Sequence, residues 1–265
     1  MEAQLNQIDM GKGQPIVLLH GLYGCADTWR PIARVLSQHL RVITMDLRNH
    51  GHSPHIASHT YHDMALDVLA TLRHLGIERA HMLGHSMGGR VAIMLAQLHP
   101  QSVGRLVLAD IGPESDLSSP NMAQRLLAHQ QLLSGLSTLQ LDDMRTFAQA
   151  EAAMLTLVPS TRLRRSMLKN LERSPSGAFR WRLNLPVLAR HLPDVLRGVA
   201  TTRLPSHVLL LRGGRSAHVS ARELEQLQQL CPGLQCATLA HAGHWLHTDS
   251  PHEVALLTLR FALQP

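Results

Sequence analysis

The chain has 265 residues, of which 45% are hydrophobic and 17% charged, and its formal net charge is +6. These values exclude a disordered or fibrous protein and allow one large domain or two small ones. No apolar run approaches the roughly 18 residues that a membrane span needs. The first residues lack the basic start and apolar stretch of a signal peptide, so we expect no membrane insertion.

The first 110 residues alternate short apolar runs with amphipathic stretches of helical period. This pattern predicts strands at residues 15–20, 41–46, 80–85 and 103–110, and helices at residues 31–40, 61–75 and 90–98. Such alternation is typical of an α/β fold with a mostly parallel sheet flanked by helices.

The alternation stops between Pro113 and about Ala200, where helical stretches occur without a convincing strand. It resumes with strands at residues 207–212 and 235–239 and helices at residues 222–230 and 251–263. We therefore predict a core formed by residues 1–112 and 201–265 and a helical cap formed by residues 113–200. An insertion after the carboxyl end of a strand lies over the crevice where open α/β sheets bind ligands.

The positive charge is concentrated in the predicted cap. Residues 160–200 contain nine Lys or Arg and two Asp or Glu, a net of +7. The simplest interpretation is a solvated helical face, and the alternative is attraction for an acidic substrate or carrier protein. With 3% aromatic residues and no basic-motif fold, no nucleic-acid partner is expected.

Three cysteines, Cys25, Cys231 and Cys236, are too few and too irregularly spaced for a disulfide framework or a metal site. The 19 histidines are scattered without metal-ligand spacing. We therefore expect a cytoplasmic protein without a bound metal.

The segment Gly84-His85-Ser86-Met87-Gly88 lies between a predicted strand and a predicted helix. A Gly-x-Ser-x-Gly turn presents a serine hydroxyl sharply to a base, and its glycines remove side chains that would collide there. Ser86 is therefore our candidate nucleophile. The alternative interpretation is a glycine-rich helix start.

Attack by a serine on a carbonyl group creates an oxyanion that needs N–H donors held in place. The backbone N–H of Met87 is one candidate, and the N–H of Leu22, in the turn after the first strand, is the other. The alternative for Leu22 is that its turn is merely tight.

Four segments, taken in order, resemble the characteristic blocks of the α/β-hydrolase superfamily. They are His20-Gly21-Leu22-Tyr23-Gly24, residues 46–53, Gly84-His85-Ser86-Met87-Gly88-Gly89 and Ala242-Gly243-His244-Trp245. The Arg-Asn-His-Gly-x-Ser loop at residues 48–53, the segment 179–187 and the corner at residues 110–113 resemble small bacterial esterases acting on acyl and thioester substrates. The resemblance implies an eight-stranded core sheet, a helical cap, and hydrolysis without metal or organic cofactor.

The base is expected at His244, in a turn of small residues between the last strand and the last helix. His241 and His247 are alternatives, and the resemblance favours His244. Most members of the superfamily carry the acid in the loop after the strand at residues 207–212, but here Ser216 stands where Asp is expected. Asp110, at the end of the preceding strand, is therefore our candidate acid, as in the esterases resembled. Its alternative role is to cap the following turn.

These residues predict a serine esterase that hydrolyses carboxylic ester or acyl thioester bonds through an acyl-enzyme. Its partner would be a small acyl ester or acyl-CoA, with an acyl carrier protein as a further candidate. Tyr23, Trp181 and Trp245 are candidates for the wall of the acyl pocket, and each could equally be a core residue. The alternatives are a carbon–carbon bond hydrolase or cofactor-free haloperoxidase on the same scaffold, and a ligand receptor without turnover.

Overall fold

The computed structural model of the protein describes residues 2–115, 120–175 and 177–264. Its main sheet has seven strands in the order β1-β3-β2-β4-β5-β8-β9, and every neighbouring pair is parallel except β1 with β3. The strands are β1 (Gln7–Met10), β2 (Pro15–Leu19), β3 (Arg41–Met45), β4 (Ala80–His85), β5 (Val103–Ala109), β8 (Val208–Gly213) and β9 (Gln235–Leu239). The predicted mostly parallel α/β architecture is confirmed.

Helices cover both faces of the sheet. They are α1 (Arg30–Leu36), α2 (Tyr61–His74), α3 (Met87–Leu98), α8 (Ala221–Leu230), the short α9 (Leu246–Asp249) and α10 (Pro251–Ala262). Alternate residues of β2 point to opposite faces: Val17 joins the core under α2 and α3, and Leu18 joins the core under α1 and α10. This period of two is the reason why a strand buried on both sides is apolar throughout.

The described part of the sheet has seven strands, not the eight that the resemblance implied. Its antiparallel edge consists of β1 alone, and the sequence analysis did not predict this strand. The four residues of β1 are half-buried or exposed, so they lack the apolar run by which the central strands are found.

The segment between β5 and β8 contains α4 (Pro120–Ser137), α5 (Phe147–Met154), α6 (Thr161–Leu168) and α7 (Leu185–Arg197). It also contains an antiparallel hairpin of β6 (Leu171–Arg173) and β7 (Phe179–Trp181), so the prediction of no strand in this segment was wrong. Strands of three residues are too short to show a period in the sequence. These elements pack around a hydrophobic cluster of their own.

Cys25, Cys231 and Cys236 are all unpaired. Within the described ranges, no helix combines the length and the apolar character needed to cross a bilayer. The cytoplasmic location stays a prediction.

Candidate active site

Ser86 lies between the end of β4 at His85 and the start of α3 at Met87. Its backbone has φ 51° and ψ −118°, a conformation that costs a residue other than glycine about 1–3 kcal/mol. The neighbouring glycines permit the tight turn, because a Cβ added to Gly84 would lie 2.4 Å from the carbonyl oxygen of Gly88. The chain therefore forms the strained strand-to-helix turn predicted for this pattern, with Ser86 at its apex.

A second tight turn lies against the Ser86 side chain. The N–H of Gly24 donates to the carbonyl oxygen of Gly21 at 2.9 Å, and Tyr23 between them has a φ of 64°. A Cβ added to Gly21 would lie 3.2 Å from the Cβ of Ser86. The close approach of this turn to the serine thus depends on the missing side chain of Gly21.

The two predicted N–H donors, Leu22 and Met87, line the same cavity as Ser86. Neither amide donates to a protein acceptor within the described part of the chain. Met87 is the first residue of α3, where a backbone N–H has no partner inside the helix. Two free donors beside a serine hydroxyl can hold an anionic oxygen.

Two buried histidines fix the turn that contains Leu22. His50 accepts a hydrogen bond through Nε2 from the N–H of Tyr23 at 3.3 Å, and His20 accepts one through Nε2 from the N–H of Leu47 at 3.0 Å. Burial lowers the pKa of both imidazoles, so both are neutral and able to accept. The sequence analysis gave these histidines no role, although His50 belongs to the Arg-Asn-His-Gly-x-Ser loop.

The predicted acid and the predicted base are in contact: Oδ2 of Asp110 lies 2.9 Å from Nδ1 of His244. Asp110 follows β5, and its side chain is buried, with 1% exposure. Its carboxylate also accepts hydrogen bonds from the N–H of Gly213, at 2.9 Å, and from the hydroxyl of Ser216. Because β8 lies beside β5 in the sheet, the last residue of β8, Gly213, and the loop that follows it bring these two donors to the carboxylate.

The alternative bases lie elsewhere. His241 is exposed. His247 is buried against Trp29, with ring centroids 5.2 Å apart, and its Nδ1 has no hydrogen-bond partner. Of the three candidate histidines, His244 is the one that Asp110 contacts.

Three imidazoles meet at His244. Burial is the largest cause that lowers the pKa of His244 well below 6.5, so its ring is neutral at neutral pH and able to take a proton. His85 has its Nε2 2.9 Å from the carbonyl oxygen of His244, and burial lowers the pKa of His85 to about 4. The ring of His218 stacks on that of His244, with centroids 3.4 Å apart and planes 8° from parallel. The sequence analysis did not foresee this stack, since it joins two loops that are distant along the chain.

Asp110, His218 and His244 offer ligand atoms within 4.8 Å of one another, which is close enough for a metal ion. However, an imidazole nitrogen directs its lone pair in the plane of the ring. Two parallel rings 3.4 Å apart do not direct two such lone pairs to one point, so these donors fit a tetrahedral metal centre poorly. A site without metal stays a prediction.

Ser86 and His244 line one cavity of about 370 Å³. Of the aromatic residues predicted for its wall, Tyr23 and Trp245 also line it. Trp181 is absent from the described lining and packs, half-buried, on the hydrophobic cluster between β5 and β8. Trp181 belongs to β7, and the sequence analysis did not predict the hairpin that carries it.

Comparison with known proteins identifies relatives of this architecture. Residues 14–251 match the model of a family described as the alpha/beta hydrolase fold. The sn-1-specific diacylglycerol lipase ABHD11 of Xenopus laevis is 35% identical over 248 residues, which cover 91% of this chain and 77% of that protein. Esterase YbfF of Escherichia coli is 30% identical over 247 residues, covering 93% of this chain and 92% of that protein.

Among solved structures, a marine microorganism esterase matches with a TM-score of 0.91 and 31% identity, over 98% of this chain and 100% of that one. An E-2-(acetamidomethylene)succinate hydrolase matches with a TM-score of 0.78 and 22% identity, over 98% of this chain and 95% of that one. The second likeness concerns the fold alone.

Proposed function

The chain belongs to the alpha/beta hydrolase fold family, and we propose that it is a serine esterase that hydrolyses carboxylic ester or acyl thioester bonds. The main support is the 2.9 Å contact between Asp110 Oδ2 and His244 Nδ1, beside a cavity that Ser86 also lines. A hydroxyl, an imidazole and a buried carboxylate in this order form the constellation used for acyl transfer. Relatives named as esterases and lipases support the same class of reaction.

In the first half of the proposed reaction, the hydroxyl oxygen of Ser86 attacks the carbonyl carbon and His244 takes the hydroxyl proton. Asp110 fixes the tautomer of His244 and stabilises its cation. The N–H groups of Leu22 and Met87 hold the oxyanion of the tetrahedral intermediate. The intermediate collapses, the bond to the alcohol or thiol breaks, and the leaving group takes the proton from His244.

In the second half, His244 removes a proton from water, and the water oxygen attacks the acyl group carried by Ser86. Collapse of the second tetrahedral intermediate releases the carboxylic acid and returns the proton through His244 to Ser86. No oxidant, reductant or cofactor is needed to balance either half.

We propose that residues 113–200 form the cap over this site. In support, α4, α6 and α7 each contribute residues to the cavity that Ser86 lines, among them Arg125, Leu163 and Leu196. Such a cover excludes water from the acyl-enzyme until the leaving group has departed.

Replacement of the nucleophile tests the proposed activity. We expect Ser86→Ala to lower kcat for p-nitrophenyl butyrate by about 10⁶-fold, because no other group can form the acyl-enzyme. A fluorophosphonate probe should label the wild type and leave Ser86→Ala unlabelled. Ser37→Ala, at the end of α1, is the matched control and should keep both signals. Turnover retained by Ser86→Ala, with an unchanged circular dichroism spectrum, would overturn the proposal.

We further propose an acyl-CoA or acyl carrier protein as the thioester substrate. A second cavity, of about 470 Å³, shares Leu22 and Trp245 with the Ser86 cavity and is also lined by Arg162, Arg165 and Lys169. These cations belong to the basic segment found in the sequence. They would contact the phosphate groups of the carrier while its acyl group reaches Ser86.

The effect of salt on KM distinguishes the proposed acyl-CoA substrate from a neutral ester. We expect added salt to raise KM for acyl-CoA far more than KM for p-nitrophenyl butyrate, because salt screens attraction between exposed charges. Arg165→Gln and Lys169→Gln should reduce that difference, whereas Arg34→Gln on the exposed side of α1 should leave it unchanged. Equal salt effects on both substrates would remove the acyl-CoA proposal and leave the esterase proposal intact.

A further inference from the structure

Among the described residues, the lining of the Ser86 cavity carries positive charge without a matching carboxylate. Its described lining includes Arg90, Arg125 and Arg162 and no Asp or Glu. Two of these guanidinium groups already have hydrogen-bond or ion-pair partners within the protein. Arg90 is buried and donates to several acceptors, among them the carbonyl oxygen of Leu196 at 2.9 Å, and Arg162 forms an ion pair with Asp249.

Arg125 is the third. Within the described residues, its side chain donates to no carboxylate, carbonyl or hydroxyl, although it is half-buried on α4. Two described acids act on the charge of Arg125, and both have other partners: Glu223 accepts from the N–H and hydroxyl of Ser220 at the start of α8, and Asp110 is held by Gly213, Ser216 and His244. Burial lowers the pKa of Arg125, which reflects the cost of a desolvated cation without a partner.

Arg125 lies apart from the proposed carrier cations. It does not line the cavity that contains Arg165 and Lys169, but it lines a recess together with Glu114, Arg222 and Glu223. Arg125 can therefore contact a part of the substrate other than the part that the carrier cations would bind.

Resting on the proposed esterase function, we propose that Arg125 binds a free carboxylate of the substrate, so that the preferred substrate is an ester carrying a carboxylate at its non-reacting end. A guanidinium presents a planar pair of donors that matches a carboxylate, and such charge-assisted bonds are stronger where water is excluded. Since Arg90 and Arg162 of the described lining already have partners, one guanidinium is left for the substrate, and it suits a carboxylate of single charge better than a phosphate of higher charge. The carboxylate can belong to the acyl part, as in a half-ester of a dicarboxylic acid, or to the alcohol part.

Pairs of substrates that differ only in this charge test the proposal. Monoethyl adipate is compared with its amide, ethyl adipamate, for a carboxylate on the acyl part. 4-Acetoxybutanoate is compared with 4-acetoxybutanamide for a carboxylate on the alcohol part. We expect the wild type to favour the acid in one pair, and Arg125→Gln to lower kcat/KM for that acid by about 30-fold with little change for the amide.

The controls separate a binding role from a structural one. Arg125→Lys keeps the charge and should recover part of the lost preference, and Arg34→Gln removes an exposed charge far from the cavity and should keep all of it. An equal loss for acid and amide in Arg125→Gln, or no preference for either acid in the wild type, would overturn the role of Arg125.

Failure of the esterase proposal gives a different result, since p-nitrophenyl butyrate would then not be hydrolysed in a Ser86-dependent manner. Binding without turnover is measured in that case. The Tm of Ser86→Ala should rise with monoethyl adipate or 4-acetoxybutanoate more than with the matching amide, and Ser86→Ala/Arg125→Gln should lose the difference. Equal Tm shifts for both members of each pair would overturn the proposed role of Arg125, and this result does not depend on any enzymatic activity.

Discussion

The hydroxyl of Ser216 donates a hydrogen bond to Oδ2 of Asp110, the same carboxylate oxygen that contacts Nδ1 of His244. Ser216 occupies the loop after β8, where most members of the superfamily carry the acid. In this chain the carboxylate that contacts His244 is that of Asp110, which directly follows the neighbouring strand β5, and it accepts one hydrogen bond from the end of β8 and one from the loop after β8. The loop that usually carries the acid thus still contacts the candidate acid, because Ser216 donates to the carboxylate oxygen that His244 contacts.

Two substitutions at this contact should differ greatly in effect. We expect Asp110→Asn to lower kcat for p-nitrophenyl butyrate by about 10⁴-fold, because an amide leaves His244 in the wrong tautomer. Ser216→Ala removes one donor of three and should cost only about 10-fold. Steady-state kinetics of both variants measures the difference. A loss of several orders of magnitude in Ser216→Ala alone would show that Asp110 is not the acid.

The pH dependence of catalysis should follow His244. The base must be neutral to take the Ser86 proton, and burial lowers its pKa below 6.5. Activity should therefore persist as the pH falls through 6.5 and decline only at lower pH. The acidic limb of kcat/KM for a neutral ester measures this value. An acidic limb centred above 6.5 would contradict the burial of the imidazole.

Buried histidines should make the fold sensitive to acid. The unfolded chain binds a proton at each histidine near 6.5, whereas burial lowers the pKa of His59 to about 3 and that of His85 to about 4. The unfolded state then binds more protons, so the free energy of unfolding falls as the pH is lowered from 6.5 to about 4, by at most about 1.4 kcal/mol per pH unit for each histidine.

Urea unfolding measured across this pH range tests the sign and the slope. His59→Gln removes one of the groups and should reduce the slope whatever its effect on stability near pH 7. His62→Gln, an exposed position, should leave the slope unchanged. A free energy of unfolding that stays constant from pH 6.5 to about pH 4 would contradict the lowered pKa values.

A buried ion pair fixes the loop that holds His50. Nε and Nη2 of Arg48 donate to the two carboxylate oxygens of Asp67 at 2.5 and 2.7 Å, and both side chains are buried. Asp67→Asn leaves the buried cation poorly compensated and should lower the free energy of unfolding by about 3 kcal/mol in urea. Asp27→Asn breaks the exposed pair with Arg30 and should cost less than about 1 kcal/mol. Equal costs would show that the Arg48 pair contributes no more than a surface pair.

The parts of the candidate site that depend on local backbone geometry could be predicted from the sequence. The Gly-x-Ser-x-Gly turn at Ser86 and the glycine turn at Leu22 can be recognised from a few consecutive residues, because only small residues fit where two backbones approach closely. Asp110 was chosen because the usual loop has Ser216 in place of Asp, because neighbouring parallel strands end at the same edge of a sheet, and because the esterases that the chain resembles carry their acid there.

Elements were missed where a strand is too short to show a hydrophobic pattern in the sequence. The hairpin that carries Trp181 has three residues in each strand, and the edge strand β1 has only four half-buried or exposed residues. Neither gives a hydrophobic period, so neither was found, and the hairpin position of Trp181 could not be predicted.

By itself, then, the sequence determined the α/β class and the serine turn, and it predicted two N–H donors, a base and an acid that the structure places near that turn. Only the tertiary structure decided that Ser216 supports Asp110, that His218 stacks on His244, and that Arg125 lies in the cavity without a hydrogen-bond or ion-pair partner among the described residues. The physical reason is the range of the interactions involved. A turn is fixed by steric clashes between adjacent residues, whereas a side chain's partner depends on which loops the order of the strands brings together.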